Sequence, residues 1–149
     1  MRHVHSARRR VAPHDERVRH ARRVAVCEVC LNADVGPNLL AGCGWRGLTA
    51  PNQAWGADLT YVRLGEEFCY LAVLLDVFTR CIRGWHLGRS LGQELTLSAL
   101  QRALVQRLPE IHHSDQGVQY AATVYVQLLQ EAGVRISMAE VGQAWQNGY

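Results

Sequence analysis

Lysine is absent from this 149-residue chain, so all sixteen of its basic residues are arginines. That absence reflects the base composition of the source genome rather than chemistry. Long apolar runs are missing too. No stretch approaches the roughly 18 residues that a membrane span needs, which leaves a soluble, cytoplasmic protein with no membrane partner. The basic N-terminus has no apolar segment behind it, so it does not read as a secretory signal. Five cysteines stand at irregular spacing, and in a reducing compartment they are free thiols rather than a disulfide framework. What is present suffices for a fold: 48% of the residues are apolar, and the length allows one domain plus a tail.

The net charge of +3 hides a split. Residues 1–23 hold eight arginines against Asp15 and Glu16, a balance of +6, which leaves −3 for the rest. The basic tail, with Arg8, Arg9 and Arg10 in a row, suits nucleic-acid phosphates; the plainer reading is a solvated leader without a role. The remainder, slightly acidic, does not look like a dedicated DNA-binding module and suits a metal–carboxylate site better. Residues 1–36 read as a basic segment of low order and 37–53 as a linker broken by Pro37 and Pro51. The folded domain is expected over 54–149.

A first strand over 54–63 puts Trp55, Ala57, Leu59 and Tyr61 on one face and Asp58, Thr60 and Val62 on the other. Gly65-Glu66-Glu67 turns the chain into an apolar second strand, Phe68 to Asp76, expected to be covered on both faces. A third strand runs from Cys81 to Leu87. Ser90 and Gln93 suggest a capping box opening a helix whose stripe is Leu97, Leu100, Leu104 and Leu108, ended by Pro109. Glu110 to His113 is a short fourth strand. A second helix, Ala121 to Ala132, is expected to bury Val124, Tyr125, Leu128 and Leu129, with Gly133 as its stop. Val134 to Met138 is a fifth strand, and Ala139 to Tyr149 leads on as a loop. The order βββαβαβ predicts an α/β, ribonuclease H-like fold: a mixed sheet with flanking helices, the final helices missing.

Two aspartates carry the chemistry. Asp58 lies in an apolar strand, Trp55-Gly56-Ala57-Asp58-Leu59-Thr60-Tyr61-Val62, and Asp115 follows the fourth strand in His112-His113-Ser114-Asp115-Gln116-Gly117. Burying a lone carboxylate is costly, and a metal ion is the usual compensation. No local rule joins residues so far apart, but this strand order makes strands one and four neighbours and brings both aspartates to one crevice. Mg²⁺ takes oxygen ligands and keeps several waters, so a few carboxylates are the right contribution. Taken singly, Asp58 also fits a backbone-bonded strand end and Asp115 a turn cap.

Other residues invite weaker readings. Asp76 is expected to pair with Arg80 across the turn. His112 and His113 point to opposite faces, so at most one reaches the Asp115 site; His113 is the better placed, supporting the carboxylates from behind or touching phosphate. Ser114, Gln116 and Trp145 are candidates for the same supporting or DNA-contacting roles. Cys27-Glu28-Val29-Cys30 and Cys43 lack a clear fourth ligand, so no zinc site is expected.

From Pro51 onward the chain closely resembles the integrase core of bacterial insertion-sequence transposases, in particular the insertion-sequence-three family related to retroviral integrases. The blocks that carry the resemblance are Pro51-Asn52-Gln53-Ala54-Trp55, Asp58-Leu59-Thr60-Tyr61, Tyr70-Leu71-Ala72-Val73, Asp76-Val77-Phe78-Thr79-Arg80 and Gly84-Trp85. They continue with His113-Ser114-Asp115-Gln116-Gly117-Val118-Gln119-Tyr120 and Ser137-Met138, and Pro37-Asn38-Leu39-Leu40 upstream is similar as well. The resemblance implies an Asp, Asp, Glu triad whose first two members are Asp58 and Asp115, binding two Mg²⁺ (or Mn²⁺) ions for phosphodiester cleavage and strand transfer. The family's glutamate falls after an Asn-Gly-Tyr-like stretch, which Asn147-Gly148-Tyr149 resembles, and so just past the sequence given.

The expectation is therefore a transposase core fragment, inactive or nearly so alone, whose DNA partners are transposon ends and target. An uncovered sheet face predicts self-association or association with full-length transposase, in a nucleoid-associated bacterial setting. Two readings compete: a non-catalytic DNA-binding or multimerising remnant, and another ribonuclease H-like nuclease such as a resolvase.

Overall fold

Alternation of apolar and polar side chains sets up a long antiparallel meander, and the computed structural model, which describes residues 37–41 and 45–147, builds it from three strands. β1 (Ala54–Leu64) and β2 (Glu67–Asp76) form a hairpin closed by Gly65 and Glu66, and Gly65 takes the positive φ of 62° that such a tight turn favours. β3 (Ile82–Gly88) follows beyond a turn in which Arg80 adopts a φ of 63°. α1 (Gln93–Gln106) then crosses to β4 (Ile111–Ser114), and α2 (Thr123–Glu131) crosses to β5 (Arg135–Met138). The sheet order is β3-β2-β1-β4-β5. β1–β2 and β2–β3 are antiparallel, while β1–β4 and β4–β5 are parallel, as helical crossovers require.

Both helices cover the same face of the sheet. Trp55 and Ala57 of β1, Ala72 and Leu74 of β2 and Met138 of β5 pack there against Leu95, Ala99, Leu100 and Ala103 of α1 and Tyr125 and Leu129 of α2. α1 differs from expectation in two respects. Its N-cap is Gly92 without a side-chain bond, while Ser90 Oγ accepts from the Gly92 N–H at 3.2 Å in the turn before it. Of its expected stripe, Leu100 is fully buried, Leu97 and Leu104 are partly buried and Leu108 lies past its end, exposed, but Ala99 and Ala103 are buried beside them. The cause is Gly84: a Cβ there would lie 2.3 Å from the Ala99 carbonyl oxygen and 2.8 Å from the Ala103 Cβ, so strand and helix touch backbone to backbone. Only small residues on α1 permit that approach. Val124 of α2, expected in the core, is likewise exposed. Gly133 ends α2 with a φ of 70°, its N–H bonded to the Gln130 carbonyl at 2.9 Å.

Among the described residues, the opposite face is covered at one end only. Leu40, Ala54 and Ile111 form a small cluster with Trp45 and Leu48 packed on it. Toward β3, Trp85 and Leu87, which alternate with the helix-facing Gly84, stay about half exposed.

Candidate functional site

The register between β1 and β4 brings the two aspartates together. Ala54 pairs with Ile111, Trp55 with His112 and Gly56 with His113, each pair 57 positions apart in sequence. Asp58 and Asp115 stand at the same interval, two positions beyond the last of these pairs. Asp58 follows the parity of Gly56 and rises on the face that the helices leave open, and Asp115, in the turn after β4, lies near enough for its charge to act on it. Asp115 is half-buried and Asp58 exposed. Asp58 nonetheless has its pKa raised, first by partial desolvation against the surrounding sheet and also by the charge of Asp115, while the Leu59 backbone N–H acts the other way. A like charge nearby disfavours the ionised form, so the two carboxylates oppose each other's charge.

Asp115 is fixed by its own turn. Its Oδ1 accepts the Gly117 N–H at 2.9 Å, and a Cβ on Gly117 would lie 2.9 Å from that same oxygen. Glycine at 117 thus leaves the carboxylate where the turn puts it. Ser114 is buried on the helix-facing side and donates its hydroxyl to the Asp115 carbonyl at 2.9 Å, so it braces the turn from behind. Gln116 is exposed.

The two histidines part as their alternation requires. His112 points into the helix-covered core, where its Nε2 meets the Tyr125 hydroxyl at 2.9 Å, and burial together with the neighbouring His113 pushes its pKa down to about 3. His113 is on the carboxylate side yet fully buried, with Nδ1 2.8 Å from Ser137 Oγ and its ring edge-on to Trp45 at 5.1 Å. Burial lowers its pKa, opposed by the Gln146 backbone. No incoming phosphate touches a ring enclosed in this way. Arg8, Arg9, Arg10, Cys27, Cys30, Cys43 and the Trp145 side chain lie outside the described residues.

Asp76 does not pair with Arg80. Its fully buried carboxylate accepts from Arg83 Nη2 at 2.7 Å, from the Asn52 N–H at 3.0 Å and from the Phe78 and Thr79 N–H groups at 3.1 and 3.2 Å. Burial alone would raise its pKa; the Arg83 hydrogen bond, the backbone donors and the Arg83 charge together outweigh it and hold the pKa low. The left-handed turn at Arg80 returns the chain into β3, and Arg83 is the residue delivered to the carboxylate.

Sequence reasoning missed a polar seam beside the site. Asn38 Nδ2 donates to Gln146 Oε1 at 2.9 Å, Gln146 Oε1 also accepts the Glu140 N–H at 2.9 Å, and the Leu39 N–H donates to Ser137 Oγ at 3.0 Å. Asn147 Nδ2 reaches the carbonyl of Ala57, next to Asp58, at 3.2 Å. The Pro37-to-Leu40 and Asn147-to-Tyr149 blocks were visible as motifs, but only the fold brings Asn38 to Gln146 and Asn147 to Ala57. Among the described residues, no group of three His, Cys, Asp or Glu side chains converges as a metal site.

The profile of the integrase core domain family matches residues 49–144. The chain is 42% identical over 119 residues to the insertion element IS600 uncharacterized 31 kDa protein of Shigella sonnei, covering 78% of this chain and 43% of that one. It is 41% identical over 99 residues to the transposase for insertion sequence element IS629 of Shigella sonnei, covering 65% of this chain and 33% of that one. To transposase InsF for insertion sequence IS3A of Escherichia coli K12 it is 36% identical over 102 residues, covering 66% and 35%. The chain therefore spans less than half the length of these curated relatives. Among solved structures, the simian T-cell lymphotropic virus intasome in complex with PP2A regulatory subunit B56 gamma matches with a TM-score of 0.61 at 19% identity, over 66% of this chain and 35% of that one. The HTLV-2 integrase catalytic core domain in complex with magnesium, in its dimeric form, matches with a TM-score of 0.54 at 19% identity, over 59% and 61%. At that identity the likeness is one of fold, and the fold is ribonuclease H-like.

Proposed function

The chain belongs to the integrase core domain family, and from that premise we propose that it forms the catalytic core of a transposase that cuts and joins DNA at transposon ends and target. One observation carries the site: Asp58 of β1 and Asp115 in the turn after β4 lie just beyond the last pair of these adjacent parallel strands, close enough that the charge of Asp115 adds to the raised pKa of Asp58. The donor set fits a hard divalent ion, Mg²⁺ or Mn²⁺, which takes carboxylate oxygens and keeps its remaining waters. The HTLV-2 integrase core, of the same fold, was solved with magnesium. Asp58 would offer either oxygen and Asp115 its Oδ2, since Oδ1 is engaged by Gly117. A bound ion of this kind polarises a phosphodiester and lowers the pKa of the attacking hydroxyl or water. The protein's own part is to hold two carboxylates rigidly at a solvent-facing strand end, with Ser114 and Gly117 locking the turn that presents Asp115.

Two carboxylates hold one ion well and two ions poorly, so we place a third carboxylate outside the described residues, on chain that follows Asn147. The 149 residues alone are then weak or inactive in strand transfer. The half-exposed Trp85 and Leu87 suit association with a second core. Among the described residues no helix is long and apolar enough to cross a membrane, in keeping with work on DNA inside the cell. The test is a nicking and strand-transfer assay on a terminal-repeat duplex with Mn²⁺. It compares this chain with a version extended through the next glutamate and with Asp58→Asn and Asp115→Asn in the extended form. Activity should appear on extension and vanish with either substitution; robust turnover by an extended Asp58→Asn protein would refute the assignment.

A further inference from the structure

The β1–β4 ladder stops just short of the two aspartates, and a side chain from elsewhere occupies the gap. In that ladder the Gln53 carbonyl accepts the Ile111 N–H at 3.0 Å, while the Ala54 carbonyl turns the other way to Val77. By this alternation the Ala57 carbonyl points toward β4, and a regular parallel ladder would next hand it the Asp115 N–H. The recorded pairing ends instead at Gly56 and His113, and the Ala57 carbonyl takes Asn147 Nδ2 at 3.2 Å. A carbonyl only accepts, so the amide must face it with its nitrogen.

We infer that Asn147 is a positioning residue: its side-chain amide wedges between β1 and the end of β4 and sets the separation of Asp58 from Asp115. This rests on the reading of that pair as a cation site. The wedge is anchored from behind by the residue before it. Gln146 Oε1 accepts from Asn38 on one side and Glu140 on the other, and the Gln146 backbone acts on the His113 ring, itself tied through Ser137 Oγ to the Leu39 N–H. The strap at 37–41 and the loop at 140–147 thus form one unit around β4. Two carboxylates that repel each other gain from being held apart until a cation joins them, and a neutral amide holds them without competing for the cation.

The test is a Mn²⁺ titration of the purified chain by electron paramagnetic resonance, with backbone amide exchange by NMR in metal-free buffer. The variants are Asn147→Ala, Asn147→Leu (similar volume, no donor) and Gln146→Ala, with Asp58→Asn as the reference for a lost site. Asn147→Ala and Asn147→Leu should weaken Mn²⁺ binding roughly three- to tenfold, the range one net hydrogen bond corresponds to. Gln146→Ala should follow in the same direction. In Asn147→Ala the Asp115 amide should also become slower to exchange as the ladder closes onto Ala57. Wild-type Mn²⁺ affinity in both Asn147 variants, with Asp58→Asn still abolishing binding, would overturn the wedge and leave the cation site standing. No binding by the wild-type chain beyond that of Asp58→Asn would overturn the cation site itself. The metal-free exchange comparison then decides the wedge, and an Asp115 amide unchanged in Asn147→Ala would refute it.

Discussion

Asp76 and Asp58 lie on adjacent strands of one sheet, and their surroundings could hardly differ more. Asp76 is fully buried and saturated: one guanidinium and three backbone N–H groups converge on its two oxygens, and its pKa is held low in spite of burial. Asp58 is exposed, meets another carboxylate instead of a cation, and has its pKa raised. A carboxylate whose acceptor capacity is filled by the fold is part of the fold. One left under-coordinated opposite a like charge is a candidate for a functional site.

The largest effect should come from the saturated end. Asp76→Ala removes the partner of a mostly buried guanidinium and strands three backbone donors, a loss of about 3 kcal/mol or more. Urea denaturation at neutral pH measures it, and a change under about 1 kcal/mol would break the contrast. The sign with pH follows from the lowered pKa. The unfolded chain takes up the proton near 3.8 and the folded one only below that, so this stabilisation is complete above the unfolded value and is lost as pH falls through the folded one.

How far such assignments can be read in advance depends on the range of the forces involved. The meander was legible because alternation and a Gly65 turn are local, and the neighbourhood of strands one and four followed from element order. The partner of Asp76 was not, because Arg80 and Arg83 are equally plausible in one dimension; the left-handed φ of Arg80 decides between them. The buried stripe of α1 was only partly legible for a similar reason: Leu100 is buried as expected, and Leu97 and Leu104 pack on the core, but Leu108 is exposed. Leucine spacing marked a helix correctly, but the close approach to Gly84 that puts Ala99 and Ala103 on the inner face beside Leu95 and Leu100 is not a local signal. Asn147 belongs to a recognisable motif, yet its bond to Ala57 spans 90 positions and exists only once the sheet has formed.

His112 tests whether the helix-covered side refuses charge. Burial holds its pKa at about 3 against 6.5 unperturbed, so between these values the unfolded chain binds a proton that the folded chain does not. Stability therefore falls as pH drops below about 6.5, by up to about 1.4 kcal/mol per pH unit inside the window. His112→Gln, which retains a partner for the Tyr125 hydroxyl, should flatten the profile between pH 6 and 4. A wild-type profile already flat there would mean that the ring carries charge in the fold.

The smallest effect, and the sharpest, belongs to Asp58. Its raised pKa means that the folded chain holds the proton to higher pH than the unfolded chain. Ionising the folded site thus costs stability as pH rises through that interval, and the cost persists at neutral pH. Asp58→Asn should then stabilise the metal-free protein. For a group this exposed, solvent screening reduces the gain to a fraction of a kcal/mol, a rise of about 1–3 °C in Tm. Millimolar Mg²⁺ or Mn²⁺ should reverse the order, because ligand binding stabilises only the chain that keeps the site. Wild type should gain in Tm with the cation while Asp58→Asn stays where it was. A variant less stable than wild type without metal would make Asp58 a second Asp76, a carboxylate the fold relies on.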